Sequence, residues 1–227
     1  MQSPTDLEDV KQTASRLDAE IEALPLRNTP NVRVVRRRYS RELEQAPAAF
    51  ILDLATELIE THSHRWVAYE LIRNHRAAFL SVGGADMERL GRGIDSWSSV
   101  DSFARTLAGP AWLQGQVGDD LIHRWARSED RWWRRAALVS TVALNMRSQG
   151  GRGDVPRTLA VCQLLVDDHD GMVVKAMSWA LRALVVHDPQ AVRAFLSAHD
   201  DVLAARVKRE VTNKLTTGLK NPRRNRG

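Results

Sequence analysis

The chain has 227 residues, of which 43% are hydrophobic and 27% charged, and this composition suits a domain with a sizeable core. Its 33 Lys and Arg against 28 Asp and Glu give a net charge of +5, which favours an anionic partner such as nucleic acid. The single cysteine excludes an internal disulfide and Cys-based metal sites, and no apolar run approaches the ~18 residues of a membrane span. The N-terminus is acidic and polar rather than signal-like, so we expect a cytoplasmic location.

Helical spacing of apolar residues continues through almost the whole chain. The first predicted helix opens at Ser3 and runs to about Leu24, before Pro25. Gly and Ser in residues 148–154 indicate a flexible loop, and we find no convincing alternating strand. The other predicted helices are VRVVRRRYSRELEQ, AFILDLATELIE, HRWVAYELIRNH, DMERLGRGI, WSSVDSFARTL, GDDLIHRWARS, RWWRRAALVSTVALNM, VPRTLAVCQLLV, GMVVKAMSWALRALVV, PQAVRAFLSA and a last helix to about Leu219.

Three segments share a pattern in which a helix-capping residue precedes a large apolar residue by three positions. The capping residues are Ser63, Asp130 and Asp170, and a fainter fourth copy begins at Asp200. The interval from Asp130 to Asp170 fits one helix pair of HEAT type. The sequence therefore predicts an all-α fold, a HEAT-like helical repeat solenoid (an α-α superhelix) with a concave basic face.

This pattern also predicts the domain organisation. We expect residues 1–219 to form a single HEAT-like repeat domain, in which residues 1–24 are an N-terminal helical extension or an altered first repeat. Residues 220–227 are basic and are expected to be a disordered tail.

Cations near the starts of the second helices could serve a ligand. Free N–H groups and the positive end of the helix dipole favour anions at such positions. Arg135 and Lys175 lie within the first two turns of their helices, so stacked repeats would present a row of cations to a nucleic-acid backbone. The alternative is that these cations pair with acids of neighbouring helices.

Several residues could carry chemistry. Trp97 and Asp101 lie four positions apart, which puts an indole and a carboxylate on one helix face, although a surface acid beside a core tryptophan gives the same spacing. Trp179 lies among alanines, where a core residue in tight helix packing is the alternative. His62 and His64 have no third ligand nearby in sequence, and no zinc, phosphate-loop or dinucleotide motif is found, so neither a metal nor a cofactor is predicted.

Three blocks, SWSSVDS, DRWWRRAAL and KAMSWALRAL, together resemble the DNA alkylation repair glycosylases with HEAT-like repeats, the AlkD-like family. Their order, spacing and residue types agree with that family, and the resemblance covers roughly residues 30–219. It implies a monofunctional glycosylase of base excision repair that removes N3- and N7-alkylated purines from double-stranded DNA. One departure is that Ser96 precedes Trp97, where the family often has a second tryptophan.

The resemblance also implies roles for individual residues. Asp101 would be the catalytic carboxylate, Trp97 and Trp179 would be the aromatic walls beside it, and Arg135 would face outward to contact the DNA backbone. The further predicted DNA contacts are Lys175, Arg134, Arg182, Arg37 and Tyr39, and the last two lie in a basic helix for which a solvated face is the alternative. The resemblance implies no metal, no cofactor and no membrane, and we expect a nucleoid-associated monomer.

Two other classes of protein fit parts of this pattern. A non-catalytic HEAT-like module that binds nucleic acid would share the cations but would be free to lose Asp101, which this chain keeps. A scaffold for protein interactions would show an apolar groove instead of a cationic face.

Overall fold

The computed structural model describes residues 4–222, with side chains from residue 9 onward, and no strand occurs in this range. The chain divides after Arg92 into two compact units. The helices of the first unit are α1 (Pro4–Glu22), α2 (Thr29–Glu42), α3 (Ala48–Glu60), α4 (Arg65–Asn74), α5 (Arg76–Ser81) and α6 (Gly84–Gly91). Those of the second unit are α7 (Trp97–Phe103), a π-helical turn (Ala104–Ala108), α8 (Gly109–Leu113), α9 (Asp119–Ala126), α10 (Arg131–Asn145), a 3-10 turn (Arg147–Gln149), α11 (Val155–Leu164), α12 (Gly171–Leu184), α13 (Pro189–Ala198) and α14 (Ala205–Thr217).

The first unit is built around α3, which packs against α1, α4 and α5. Four residues at helical spacing on α1 are buried, namely Val10, Ala14, Leu17 and Ile21. α2 is capped by Asn28, whose side chain accepts a hydrogen bond from the backbone N–H of Asn31 at 2.9 Å. The N-terminal helix therefore contributes to the core of this unit.

A carboxylate on α1 also binds two histidines of the connection between α3 and α4. Nε2 of His64 lies 2.7 Å from Oδ1 of Asp18, and Nδ1 of His62 lies 3.2 Å from Oδ2. Ser63, between the two histidines, has a φ of 61°, in the left-handed region that non-glycine residues seldom adopt. Asp18 and Glu22, which are remote in sequence, thus place carboxylates beside His64.

The second unit is built around α10, which packs against α7, α8, α9, α11 and α12. Every residue from Arg135 to Asn145 is buried, because α10 is surrounded by these helices. α12 in turn packs against α11, α10 and α14. Such contacts between successive helix pairs are typical of helical repeats, and the predicted all-α class with repeat-like packing is confirmed.

Two of the four predicted helix caps are confirmed. The Asp130 side chain accepts from the backbone N–H of Trp132 at 2.8 Å, and the Asp170 side chain accepts from that of Met172 at 2.8 Å. Ser63 is not a cap, because α4 is preceded by His64, and Asp200 is not a cap, because α14 begins only at Ala205. The short helices α5 and α8 were not predicted.

Three further features bear on earlier expectations. Cys162 is fully buried in α11, and burial raises the pKa of its thiol far above the ordinary value. None of the helices in residues 4–222 is long and apolar enough to cross a bilayer. Lys220, in the predicted tail, lies with its Nζ 3.4 Å from a carboxylate oxygen of Glu210, whereas residues 223–227 of that tail lie outside the described residues.

Candidate active site

The start of α7 fixes the positions of Trp97 and Asp101. The Ser96 side chain accepts from the backbone N–H of Ser99, and Oγ of Ser99 accepts from the backbone N–H of Ser96, so the two serines close a reciprocal cap. Trp97 is therefore the first helical residue and is 59% exposed. Asp101 follows one turn later, with its side chain 20% exposed.

The helix continues beyond Asp101 through the π-helical turn into α8, which lies close against α10. A Cβ added to Gly109 would meet the Ser140 carbonyl oxygen at 2.6 Å and the Ala143 Cβ at 2.8 Å, so only glycine permits this approach. π-Helical turns are uncommon and occur frequently at functional sites. The close packing brings the α7 segment beside the first half of α10.

Arg135 on α10 binds the Asp101 carboxylate in a bidentate ion pair. Its Nε donates to Oδ1 at 2.9 Å and its second terminal nitrogen donates to Oδ2 at 2.9 Å. The remaining terminal nitrogen donates to the Met172 carbonyl oxygen of α12 at 2.6 Å. Arg135 is only 5% exposed, so the expectation that it faces outward to a DNA backbone is wrong. It connects α7, α10 and α12 instead.

The protonation of Asp101 is set by opposing influences. Burial is the largest and raises the pKa of this carboxyl group above its ordinary value, while the hydrogen bonds and charge of Arg135 lower it. Arg105 lowers it further through its charge. Arg105 was not among the predicted site residues, although its position four residues after Asp101 places it on the same helix face.

Lys175 and Trp179 lie on one face of α12, at positions three and seven after Met172. Lys175 is exposed and its Nζ lies 3.9 Å from the Met172 sulfur, a weak contact that leaves the ammonium free for an anion. Trp179 is half-buried. Arg135, which binds Asp101, also donates a hydrogen bond to the Met172 carbonyl oxygen. It therefore links Asp101 to the first turn of α12. The convergence of both tryptophans on Asp101 stays a prediction.

Two of the predicted DNA contacts in this unit have internal partners. Nε of Arg134 lies 2.7 Å from Asp168, and its terminal nitrogen donates to the carbonyl oxygens of Ser128 and Glu129 at 3.0 and 2.7 Å. Arg182 donates to Oγ of Ser178 at 3.1 Å. The alternative that cations pair with acids of neighbouring helices therefore describes Arg135, which binds Asp101, and it extends to Arg134, which binds Asp168.

The predicted contacts in the first unit differ from each other. Tyr39 is completely buried, and its hydroxyl accepts from Arg16 at 3.1 Å and donates to Glu20 at 3.0 Å. Its prediction as a DNA contact is wrong, because no part of the side chain reaches the surface. Arg37, two positions earlier on α2, is exposed.

The double tryptophan of α10 serves packing. Trp133 contacts the ring of Phe103 edge-on, with centroids 5.9 Å apart, and lies 4.9 Å from that of Trp125. These aromatic pairs join α7, α9 and α10. Trp132 lies under the guanidinium of Arg131 at 4.8 Å. Trp133 thus fixes the end of the helix that carries Asp101.

A comparison with protein families gives one match. The family described as "DNA alkylation repair enzyme" matches residues 3–215 of this chain. Searches of curated proteins and of solved structures returned no match.

Proposed function

The chain belongs to the family of DNA alkylation repair enzymes, and on that premise we propose that it is a monofunctional DNA glycosylase with Asp101 as its catalytic carboxylate. The proposed reaction is hydrolysis of the N-glycosidic bond of N3- or N7-alkylated purines in duplex DNA. The proposal rests on one observation above all: a partly buried carboxylate held by a buried arginine beside an exposed indole.

The proposed reaction mainly requires stabilisation of the positive charge that develops in its transition state. An N3- or N7-alkylated purine is cationic and therefore already a good leaving group. As the bond to the sugar breaks, positive charge develops on the deoxyribose, as it does in glycoside hydrolysis. A fixed carboxylate aimed at that charge stabilises the transition state and can orient the attacking water. The proposal invokes no amine nucleophile, so we expect no strand-cleaving lyase step.

Arg135 supports this role as a positioning residue. Its two hydrogen bonds fix both carboxylate oxygens of Asp101, and the third bond anchors the guanidinium on Met172. An ionised carboxylate has about four lone-pair sites, so bidentate pairing with one arginine leaves acceptor capacity for water or sugar. A preorganised carboxylate needs no reorientation at the moment of reaction.

The partial burial of Asp101 has two consequences. It raises the pKa of the Asp101 carboxyl group, and the positive charges of Arg135 and Arg105 counteract part of that rise. It also lowers the local dielectric constant, which strengthens the interaction of the carboxylate with a developing positive charge.

The indoles supply a second source of cation stabilisation. The face of a tryptophan attracts a nearby cation by about 0.5–2 kcal/mol. Trp97 is exposed enough to meet a ligand and lies one helical turn from Asp101. Trp179 is half-buried on the helix to which Arg135 is anchored. We propose that the two indoles flank the alkylated base.

The proposed partner is duplex DNA, bound in part through exposed cations. Lys175 and Arg37 remain candidates for phosphate contacts because both side chains are exposed. We expect the affinity for DNA to fall steeply with salt, since each neutralised phosphate releases counterions. An affinity that barely changes with salt would contradict a cationic DNA surface.

The decisive experiment measures release of N7- and N3-methylpurine from alkylated DNA by the wild type, by Asp101→Asn and by Asp95→Asn. Asp95 is an exposed acid six positions earlier, so its variant is a matched control for the loss of one charge. We expect release by the wild type and the control and strongly reduced release by Asp101→Asn. Equal release by all three would remove Asp101 from the reaction, whereas a folded wild type that binds DNA and releases nothing would indicate the non-catalytic binding module.

A further inference from the structure

The second unit has a pocket that the proposed reaction does not use. It has a volume of about 470 Å³ and is lined by Arg147, Gly150, Gly151, Arg152 and His187. It lies where α10 ends and the loop to α11 begins. The loop, residues 148–154, is called the glycine loop below.

The charges of the pocket are uncompensated. Arg147 and Arg152 are exposed, and neither forms an ion pair with any residue whose side chain the structure describes. Arg134 and Arg157 of the same unit, by contrast, each bind a carboxylate at 2.7 Å. The two lining arginines therefore remain available to an external anion.

The acids nearest in sequence to the residues that line the pocket already accept hydrogen bonds from other groups. Asp154 accepts hydrogen bonds from the backbone N–H of Arg157 at 3.0 Å and from its Nε at 2.7 Å. Asp188 caps α13 by accepting from the backbone N–H of Ala191 at 2.8 Å. Neither acid is bonded to Arg147 or Arg152, so the pocket keeps its positive charge.

Backbone hydrogen bonds and two left-handed glycines shape the glycine loop. Gly150 and Gly153 have φ values of 90° and 95°, which side-chain-bearing residues seldom adopt. The N–H of Gly151 donates to Met146 and that of Gly153 to Leu144, at 3.0 and 3.1 Å. A backbone fixed in this way loses little entropy when a ligand binds to the side chains that it carries.

Asn145 ties the walls of the pocket together. It is buried, its carbonyl oxygen lies 2.8 Å from Nε2 of His187, and its Oδ1 accepts from the backbone N–H of Asp154 at 3.1 Å. Its Nδ2 donates to Oγ1 of Thr158 at 2.9 Å. The end of α10, the glycine loop and the segment before α13 are thereby fixed relative to one another.

We propose that this pocket binds a phosphate group of the DNA backbone. Guanidinium groups match phosphate oxygens with paired hydrogen bonds, and two of them, Arg147 and Arg152, line this pocket. The proposal depends on the DNA-binding part of the proposed function but not on glycosylase activity.

The pocket lies beyond the end of α10, whereas Arg135, the partner of Asp101, lies near the start of that helix. At the helical rise of ~1.5 Å per residue, Asn145 at the end of α10, two positions before Arg147, lies roughly 15 Å from Arg135. One turn of duplex DNA measures ~34 Å, so a phosphate about half a turn from the lesion would reach the pocket. The pocket would hold the duplex in register while Asp101 acts on one nucleotide.

The test measures the affinity for an undamaged duplex as a function of salt, by fluorescence anisotropy. The variant is Arg147→Gln/Arg152→Gln, and the control is Arg193→Gln/Arg209→Gln, which removes two exposed charges of the same unit from outside the pocket. With a slope of about 0.9 per phosphate, loss of one contact weakens binding about eightfold at 0.1 M salt and lowers the slope by about 0.9. We expect this change in the pocket variant and a much smaller one in the control, with partial recovery in Arg147→Lys/Arg152→Lys.

Three outcomes would overturn the proposal. Unchanged DNA binding by the pocket variant would exclude a DNA contact, and equal weakening in both double variants would assign the effect to overall charge. The third outcome is that the pocket variant no longer binds inorganic phosphate, as measured by ³¹P NMR, but keeps its affinity for DNA. That result would assign the pocket to a small phosphorylated ligand. Since the duplex carries no lesion, failure of the Asp101→Asn experiment would leave this inference intact.

Discussion

Replacing Arg135 by glutamine tests the central contact of the site. Glutamine keeps a polar amide on a shorter side chain, but it lacks the positive charge and the paired N–H donors of the guanidinium group. The substitution deletes two hydrogen bonds of 2.9 Å to Asp101 and one of 2.6 Å to the Met172 carbonyl. It leaves the Asp101 carboxylate partly buried without its principal partner.

The expected loss of stability follows from that burial. An unsatisfied buried polar group costs about 1–3 kcal/mol, and removal of one member of a fully buried ion pair costs about 3–5 kcal/mol. The Asp101 side chain is 20% exposed, so water compensates in part. We therefore expect the free energy of unfolding to fall by about 2–3 kcal/mol, which corresponds to a decrease in Tm of roughly 5–10 °C.

The pH dependence of the variant has a definite sign. Burial raises the pKa of Asp101 and Arg135 lowers it, so the loss of Arg135 moves this pKa further up. In the proposed reaction, base release requires the ionised carboxylate, so the acidic limb of its pH profile should move to higher pH. When the pKa of Asp101 is higher in the folded state than in the unfolded state, the folded state binds more protons at pH values between these two pKa values. The contribution of Asp101 to stability therefore falls as the pH rises through that range.

A double-mutant cycle measures the interaction energy between Asp101 and Arg135 separately from their other contacts. Asp101→Asn alone leaves the 5%-exposed Arg135 without its counter-charge, so the double variant should lose less stability than the sum of the single variants. We expect a coupling of about 0.5–3 kcal/mol from urea denaturation of the four proteins. Additive losses, together with an acidic limb that does not move in Arg135→Gln, would refute the assigned role of the pair.

Two further substitutions test the aromatic wall and the packing beneath it. Trp97→Ala should leave stability within about 0.5 kcal/mol, because the side chain is 59% exposed, but should reduce base release about 2- to 30-fold. Full activity would exclude Trp97 from the site, and the similarly exposed Leu26→Ala serves as the control. Gly109→Ala should lower the free energy of unfolding by about 1–3 kcal/mol, because its Cβ would meet the Ser140 carbonyl at 2.6 Å. Gly171→Ala, at the first position of α12 and with no atom within 4 Å of the added Cβ, should not lower the free energy of unfolding, and identical curves for both variants would contradict the close packing of α8 on α10.

The sequence predicted local features of this fold better than remote ones. Asp130 and Asp170 were identified as caps because a capping side chain bonds to a backbone N–H only two or three residues away. Ser63 carries the same sequence signal but adopts a positive φ next to two histidines that bind Asp18. That outcome depends on a contact remote in sequence, which no local pattern contains.

The candidate site shows the same limit. Spacing placed Trp97 and Asp101 on one helix face, but the partner of Asp101 lies 34 positions later, beyond any local periodicity. A charged residue is ordinarily assigned to the surface, so Arg135 was expected to face outward. Its helix is surrounded by five others, and its charge is buried because Asp101 neutralises it. Tyr39 was misplaced for a related reason, because its hydroxyl finds internal partners.

The buried thiol of Cys162 makes the native chain suitable for site-specific labelling. A cysteine with no exposed surface and a strongly raised pKa should not react with maleimide dyes in the folded protein. A cysteine introduced at an exposed position, such as Ser98→Cys beside Trp97, would then be the single reactive group without removal of the native one. Fluorescence from that position could report in real time whether a duplex engages the candidate site before any base is released.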